Sequence, residues 1–190
     1  MPELIEIKSN ENLDYLAVFG LDQPSNRQLK FVIHDNASLN FKAIVLGSQD
    51  DEYELDLTML HRGRRATSKA DIRAVMSGRA KAKLTGLIKI EKSGSQAQAF
   101  LEERALLLSD NARVQAVPQL EIDTDDVQAT HAAAVSKLSE EQLFYLQARG
   151  LRLDKARELI ITSFLFGDID QEIVTKLDGK LKQILANAEY

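Results

Sequence analysis

The sequence predicts a mainly β chain with an α-helical C-terminal part, and three observations carry that reading. Apolar residues recur mostly with period two up to about Ala129 and with period 3.6 beyond it. The tripeptide Asp-Asn-Ala occurs twice, as Asp35-Asn36-Ala37 and Asp110-Asn111-Ala112, each time leading into a short strand. A capped helix signal opens at Ser139.

The strands follow from the alternation, because successive side chains of a strand point to opposite faces. Tyr53, Leu55, Leu57 and Met59 alternate with Glu54, Asp56 and Thr58, as a half-buried strand requires. Leu29, Phe31 and Ile33 alternate less cleanly around Lys30 and Val32. Leu39, Phe41 and Ala43 alternate with Asn40 and Lys42, and then Ile44, Val45 and Leu46 run on without a break. Ile88 and Ile90, and Leu120 and Ile122, repeat the pattern. Turn signals separate these runs at Gln23-Pro24-Ser25-Asn26, Gly47-Ser48-Gln49-Asp50, Gly78 and Ser93-Gly94-Ser95. No long amphipathic helix clearly intervenes, which argues against an alternating strand–helix fold. In the Asp-Asn-Ala repeats, Asp and Asn tolerate turn geometry while the small Ala suits a tight corner facing a core. Such recurrence is what a β-solenoid shows. The period is irregular, so the pattern leaves a solenoid and a sandwich both open.

Three helices are expected after the strands. Ser139 is an N-cap with Gln142 completing a capping box, and Leu138 and Leu143 take the staple positions. Leu143, Phe144 and Leu146 form its apolar face, and Gly150 ends it. Asp154 is read as the cap of a second helix, with Ala156, Leu159, Ile160 and Phe164 inward and a stop near Gly167. Asp168 is read as the start of a third, with Ile169, Ile173, Leu177, Leu181 and Ile184 or Leu185 on one face.

Composition narrows the function classes. The chain has 190 residues, 44% of them hydrophobic and 28% charged, as in an ordinary globular protein. Its net charge of −5 argues against a dedicated nucleic-acid binder, which needs a basic face. There is no cysteine, so the chain offers neither a disulfide nor a thiolate ligand, which fits a reducing cytoplasm. The N-terminus lacks the basic and apolar regions of a signal peptide, and no apolar run approaches the ~20 residues that span a bilayer. Of the basic tract His61-Arg62-Gly63-Arg64-Arg65, a solvated turn is expected rather than a phosphate site. His131 follows the acidic run Asp123-Thr124-Asp125-Asp126, a setting in which imidazole can bind metal or move protons. Neither a G-x-S-x-G elbow nor an S-x-x-K motif is present. Asp125-Asp126 and Glu102-Glu103 are adjacent, so a strand sends each pair to opposite faces rather than making a dyad. Motifs therefore argue against an enzyme.

The segment from Leu106 to Leu151 strongly resembles the core domain of the SufB/SufD family, scaffold subunits of the Suf iron–sulfur cluster assembly machinery. The resemblance rests on Pro118-Gln119-Leu120-Glu121-Ile122, Asp125-Asp126-Val127, His131, Gln142-Leu143-Phe144-Tyr145-Leu146 and Arg149-Gly150. His61 with Thr67, and Gly86-Leu87-Ile88-Lys89-Ile90-Glu91, extend it upstream. It covers about residues 36 to 166 and leans to the SufD side.

This resemblance implies a right-handed parallel β-helix (β-solenoid) over residues 1–134 followed by a small helical subdomain over 135–190. It also implies a non-catalytic, cytoplasmic dimer that pairs through the β-helix with a second copy or a SufB-like paralogue. Neither nucleic acid nor membrane is expected as a partner. The helical end would dock a Suf-type ABC ATPase, with Phe144, Tyr145, Phe164 and Phe166 contributing; the competing expectation is that all four fill the seam between the helices and the β-helix, and it is the favoured one for Phe144 and Phe164. Relative to the family, the chain is short and is expected to lack most of the N-terminal region. The SufB branch carries cysteine where Glu103 stands here, and the family's Ser-His-Gly-Ala-Thr turn is Thr130-His131-Ala132-Ala133-Ala134. Only the imidazole of His131 remains as a cofactor or metal ligand, for a transient iron–sulfur cluster completed at a subunit interface. The alternatives are a diverged stand-alone SufD-like homologue that has lost cluster assembly, or a β-solenoid hydrolase with facing carboxylates about 5–9 Å apart.

Overall fold

Ten strands of alternating polarity are wound into a β-solenoid and followed by three helices; the computed structural model describes residues 2–20, 25–166 and 171–186. The strands are β1 (Glu3–Ile7), β2 (Asn12–Phe19), β3 (Asn26–Ile33), β4 (Ser38–Gly47), β5 (Glu52–His61), β6 (Thr67–Met76), β7 (Lys81–Ile90), β8 (Gln98–Leu107), β9 (Arg113–Ile122) and β10 (Gln128–Lys137). Odd strands build one parallel sheet in the order β1-β3-β5-β7-β9, and even strands build the other in the order β10-β8-β6-β4-β2. Each odd–even pair is thus one coil. Parallel pairing of every second strand is the solenoid and excludes a sandwich of antiparallel hairpins.

The coil length explains why the repeat is hard to read. Partners stacked on neighbouring coils are 26 residues apart at Asn10 and Asn36, 29 at Asn36 and Arg65, and 32 at Lys89 and Glu121. Extra residues enter at the turns while the strands stay in register. Left-handed backbone occurs at Asn10, Asn36, Arg65 and Gln96 at one edge of the coils, and at Gln49 and Gly78 at the other. The turn amides bond from coil to coil, Asn10 N to the Asp35 carbonyl and Asn36 N to the Arg64 carbonyl, both at 2.9 Å. Ala37, Ala66, Ala80, Ala97 and Ala112 then turn inward, each at most 1% exposed, as the small-corner expectation required. The two Asp-Asn-Ala repeats lie at opposite edges, the first between β3 and β4 and the second between β8 and β9.

The inward residues fill the lumen: Leu29, Phe31 and Ile33, then Leu55, Leu57 and Met59, then Leu84, Ile88 and Ile90 on one wall, with Leu39, Phe41, Ile72 and Leu101 opposite. A second core lies outside the even-strand sheet. There Ile44, Leu46, Val75 and Leu106 meet Ile161, Leu165, Leu177, Leu181 and Ile184 of the helices. The unbroken run Ile44-Val45-Leu46 is buried on both faces for this reason.

The helices are α1 (Glu140–Ala148), α2 (Leu153–Phe166) and α3 (Gln171–Ala186). Ser139 caps α1, its hydroxyl accepting from the Gln142 amide at 3.2 Å, and Gly150 at φ +92° closes it. Some expectations are corrected. Phe144 is not on the buried face of α1: it is 74% exposed, and Leu143 is the buried residue. Asp154 lies in the first turn of α2 instead of capping it. The buried seam of α2 is Ala156, Ile161 and Leu165, one position on from the predicted stripe, with Leu159 at 45% exposure. Docking on the sheet selects that stripe, while Leu159, Ile160 and Phe164 turn towards a groove shared with Tyr145 and Leu146 of α1. Leu177, Leu181 and Ile184 of α3 are buried as expected, with Leu185 packed beside them. The expectations at Gly167, Asp168 and Ile169, and for the Ile173 side chain, lie outside the described residues.

Candidate functional site

The last coil, β9 with β10, is outermost in both sheets. Its inward-facing positions continue the apolar columns of the lumen, yet Leu120 is 37% exposed, Ile122 41% and Val135 45%. An open strand edge with apolar lining is a pairing surface unless it is covered.

His131 sits on this coil. Register pairs it with Leu101 and pairs Ala133 with Glu103. His131 therefore has the inward parity of Ala99, Leu101, Glu103 and Ala105, and it is exposed because no further coil lies over it. The acidic run Asp123 to Asp126 forms the turn before β10. Among the described residues no three His, Cys, Asp or Glu side chains gather as a metal site. One chain thus presents one imidazole at the lumen mouth.

Glu103 lies beneath, 0% exposed, with neither carboxylate oxygen hydrogen-bonded. Gly86 on the facing sheet makes room for it: a Cβ there would stand 2.7 Å from Glu103 Oε1 and 2.5 Å from Leu101 Cδ2. Burial pushes the Glu103 carboxyl up to about 7, and the Val117 amide opposes this without closing a hydrogen bond. Glu102, its sequence neighbour, points outward and pairs with Arg104 at 3.0 Å. The adjacent carboxylates do occupy opposite faces.

His61, read as part of a basic turn, is also inside the lumen. It is 0% exposed, with Nε2 2.8 Å from Ser68 Oγ, and burial lowers its pKa to about 4. The rest of that tract is a surface turn, where Arg62 pairs with Glu91 at 3.3 Å and Arg65 Nε donates to Asn36 at 2.8 Å. Gly63 is required there, since a Cβ would overlap the His34 carbonyl carbon and the Asp35 nitrogen.

The four aromatic candidates divide. Phe144 and Tyr145, at 74% and 56% exposure, stand on the outer side of α1, with the Arg149 guanidinium over the Tyr145 ring at 5.0 Å. Phe164 and Phe166 are partly buried against the second core. The Phe164 carbonyl also accepts from Arg73 Nη1 at 2.6 Å, tying the end of α2 to β6. Sequence reasoning treated Glu103 as half of an adjacent acid pair and as a departure from a family pattern, and assigned it no site role. Its inward parity, a lone charge in the column Ala99, Leu101, Ala105, was the signal that marks it.

The family model described as "SUF system FeS cluster assembly, SufBD core domain" matches residues 22–164. The chain is 34% identical over 148 residues to "Iron-sulfur cluster assembly protein SufD" of Bacillus subtilis (strain 168), covering 78% of this chain and 33% of that protein. It is 25% identical over 150 residues to "Iron-sulfur cluster assembly SufBD family protein ycf24" of Porphyra purpurea, covering 77% and 31%. It is 44% identical over 79 residues to "Protein ABCI7, chloroplastic" of Arabidopsis thaliana, covering 42% and 17%. The chain spans about a third or less of the length of these relatives. Among the described residues no helix is long and apolar enough to cross a membrane. With its parallel solenoid, its helical end and a match over most of its length, the chain belongs to the SufBD core-domain family.

Proposed function

We propose that this chain is a non-catalytic, cytoplasmic scaffold subunit of Suf-type iron–sulfur cluster assembly. The observation that carries the reading is the uncapped β9–β10 coil, whose apolar lumen lining is exposed beside His131. The solenoid part, residues 1–134, pairs through that coil with a SufB-like paralogue or a second copy. The helical part, α1 to α3 after the end of β10, docks an ABC-type ATPase, and the exposed Phe144 and Tyr145 supply its aromatic anchors. Phe164 and Phe166 support that surface from beneath. Any cluster is transient and held between subunits, with His131 the ligand from this side and thiolates from the other.

The test is retention of the host's Suf-type ATPase on the immobilised chain, followed by iron and sulfide analysis of the complex with a SufB-like partner. Retention, weakened at least 10-fold by Phe144→Ala with Tyr145→Ala, is expected. No retention by the unsubstituted chain overturns the docking role. Unchanged iron and sulfide in His131→Ala overturns the ligand role and leaves the scaffold standing.

A further inference from the structure

We propose that the β9–β10 coil is a proton-dependent lid on the lumen: it seats on β7 and β8 while Glu103 is protonated, and loss of that proton loosens it. The geometry leaves Glu103 no other resolution. Its carboxyl is fully buried, neither oxygen has a hydrogen-bond partner, and the space beside it is filled by Leu101 and the Gly86 backbone. With neither a hydrogen-bond donor nor an ion-pair partner on its oxygens among the described residues, the group is comfortable only as a neutral acid.

The charged surroundings do not rescue the anion. On β6 the inward neighbour is Ile72, while Asp71 and Arg73 point outward and pair with each other at 2.7 Å. On β8 itself Glu102 and Arg104 also pair on the outer face. Leu84, Gly86 and Ile88 face it from β7, and Lys83 and Lys89 point outward to Glu54 and Glu121. On β9 the facing residues are Ala116 and Pro118, with Arg113 and Glu121 outside the lumen. On β10 the inward parity belongs to His131, Ala133, Val135 and Lys137. His131 makes no hydrogen bond to Glu103, and Lys137 is engaged by Asp110 at 2.6 Å.

Water reaches the carboxylate by the shortest route through the last coil, since Glu103 on β8 lies one strand in from that edge, whereas three further coils separate it from the opposite edge at β1 and β2. Ionisation therefore favours opening of β9–β10 in preference to the body of the solenoid. The carboxyl, which titrates near 7 in place, returns to an ordinary 4.5 once the coil lifts. Linkage between those two values makes opening about 20-fold more frequent at pH 7.5 than at pH 5.5. Because this coil also carries the exposed edge and His131, protonation would tune both; that consequence, unlike the lid, rests on the proposed scaffold role.

Amide hydrogen exchange on the full chain tests the lid. After correction for intrinsic chemistry, β9 and β10 amides are expected to exchange about 20-fold faster at pH 7.5 than at pH 5.5, with no such acceleration in β4 and β6. The dependence disappears in Glu103→Gln or, if that variant folds poorly, in Glu103→Met. Persistence of the dependence in a folded variant, or its absence from the unsubstituted chain, overturns the proposal. A carbon-13 titration of the unsubstituted chain is independent of any variant: one glutamate carboxyl titrating near pH 7 supports the lid, and none above pH 5.5 overturns it.

Discussion

Glu103 and His61 are ionisable groups of opposite kind buried in one lumen, and their effects on stability run in opposite directions. The Glu103 pKa is raised from 4.5 to about 7 by burial, so its contribution is intact below 4.5 and is lost as pH rises through 7. The His61 pKa is lowered from 6.5 to about 4 by burial, so its contribution is intact above 6.5 and is lost as pH falls through 4. Each shift corresponds to about 3 kcal/mol. Between about pH 4.5 and 6.5 the two slopes cancel, and the urea midpoint of the unsubstituted chain is expected to be nearly flat. Glu103→Gln should make that midpoint climb with pH over the same window, and His61→Leu should make it fall; fluorescence or circular dichroism melts at several pH values decide it. Gly86→Ala places a methyl against Glu103 Oε1 and Leu101, and overpacking of this kind costs about 1–3 kcal/mol. The signs of these residues were present in the alternation: His61 ends the column Leu55, Leu57, Met59, and Glu103 interrupts Leu101 and Ala105. What the alternation could not convey is that both columns face a closed lumen, because a one-sided and a two-sided strand share the same period.

At the level of elements, the strands of the odd sheet from β3 to β9, β4 and the cap of α1 were legible because local chemistry decides them, whereas Asp154 proved to lie in the first turn of α2. Ser139, Gln142 and Gly150 bound α1 through bonds made within a few residues, and the Ser139→Ala substitution should cost about 1 kcal/mol for that reason. The docked face of α2 was misread by one position, since Leu159, Ile160 and Ile161 are equally apolar and only the sheet beneath distinguishes them. Ile161 and Leu165 are 0% exposed against Ile44, Leu46, Val75 and Leu106. Arg73 reinforces the seam through the Phe164 carbonyl, and Lys180 on α3 reaches Asp51 at 2.8 Å across the turn after β4. Ile161→Ala therefore removes packing at the joint between solenoid and helices, at about 2–5 kcal/mol. Early loss of helical signal on heating, with the β signal retained, is the expected result. A single cooperative transition lowered as a whole would show instead that the two parts unfold together.

The whole molecule is asymmetric along its axis, and the asymmetry bears on pairing. In the first coils, Arg27 donates to Glu3 and to the Tyr15 hydroxyl at 2.7 Å each, while the Tyr15 ring stacks on Phe41 and meets Phe31 edge-on. Polar and aromatic groups fill that end of the lumen. At the other end the lining is Ala129, Ala133 and Val135 opposite Ala116, Pro118 and Leu120, all on strands with a free edge. Small apolar residues allow close approach of a facing coil, and the unpaired backbone of β9 and β10 supplies hydrogen bonds in register. Under the proposed pairing, Val135, at 45% exposure, is the position where a charge disturbs a partner more than the fold. Val135→Lys should weaken pairing at least 10-fold, since an interfacial ammonium must be desolvated without a partner. The thermal midpoint of the isolated chain should move by no more than a few degrees, as expected for a surface substitution. Sedimentation of the chain, alone and with a SufB-like partner, reads the first effect and calorimetry the second. Undiminished assembly of the Val135→Lys chain would place the pairing surface elsewhere, away from the mouth where His131 stands.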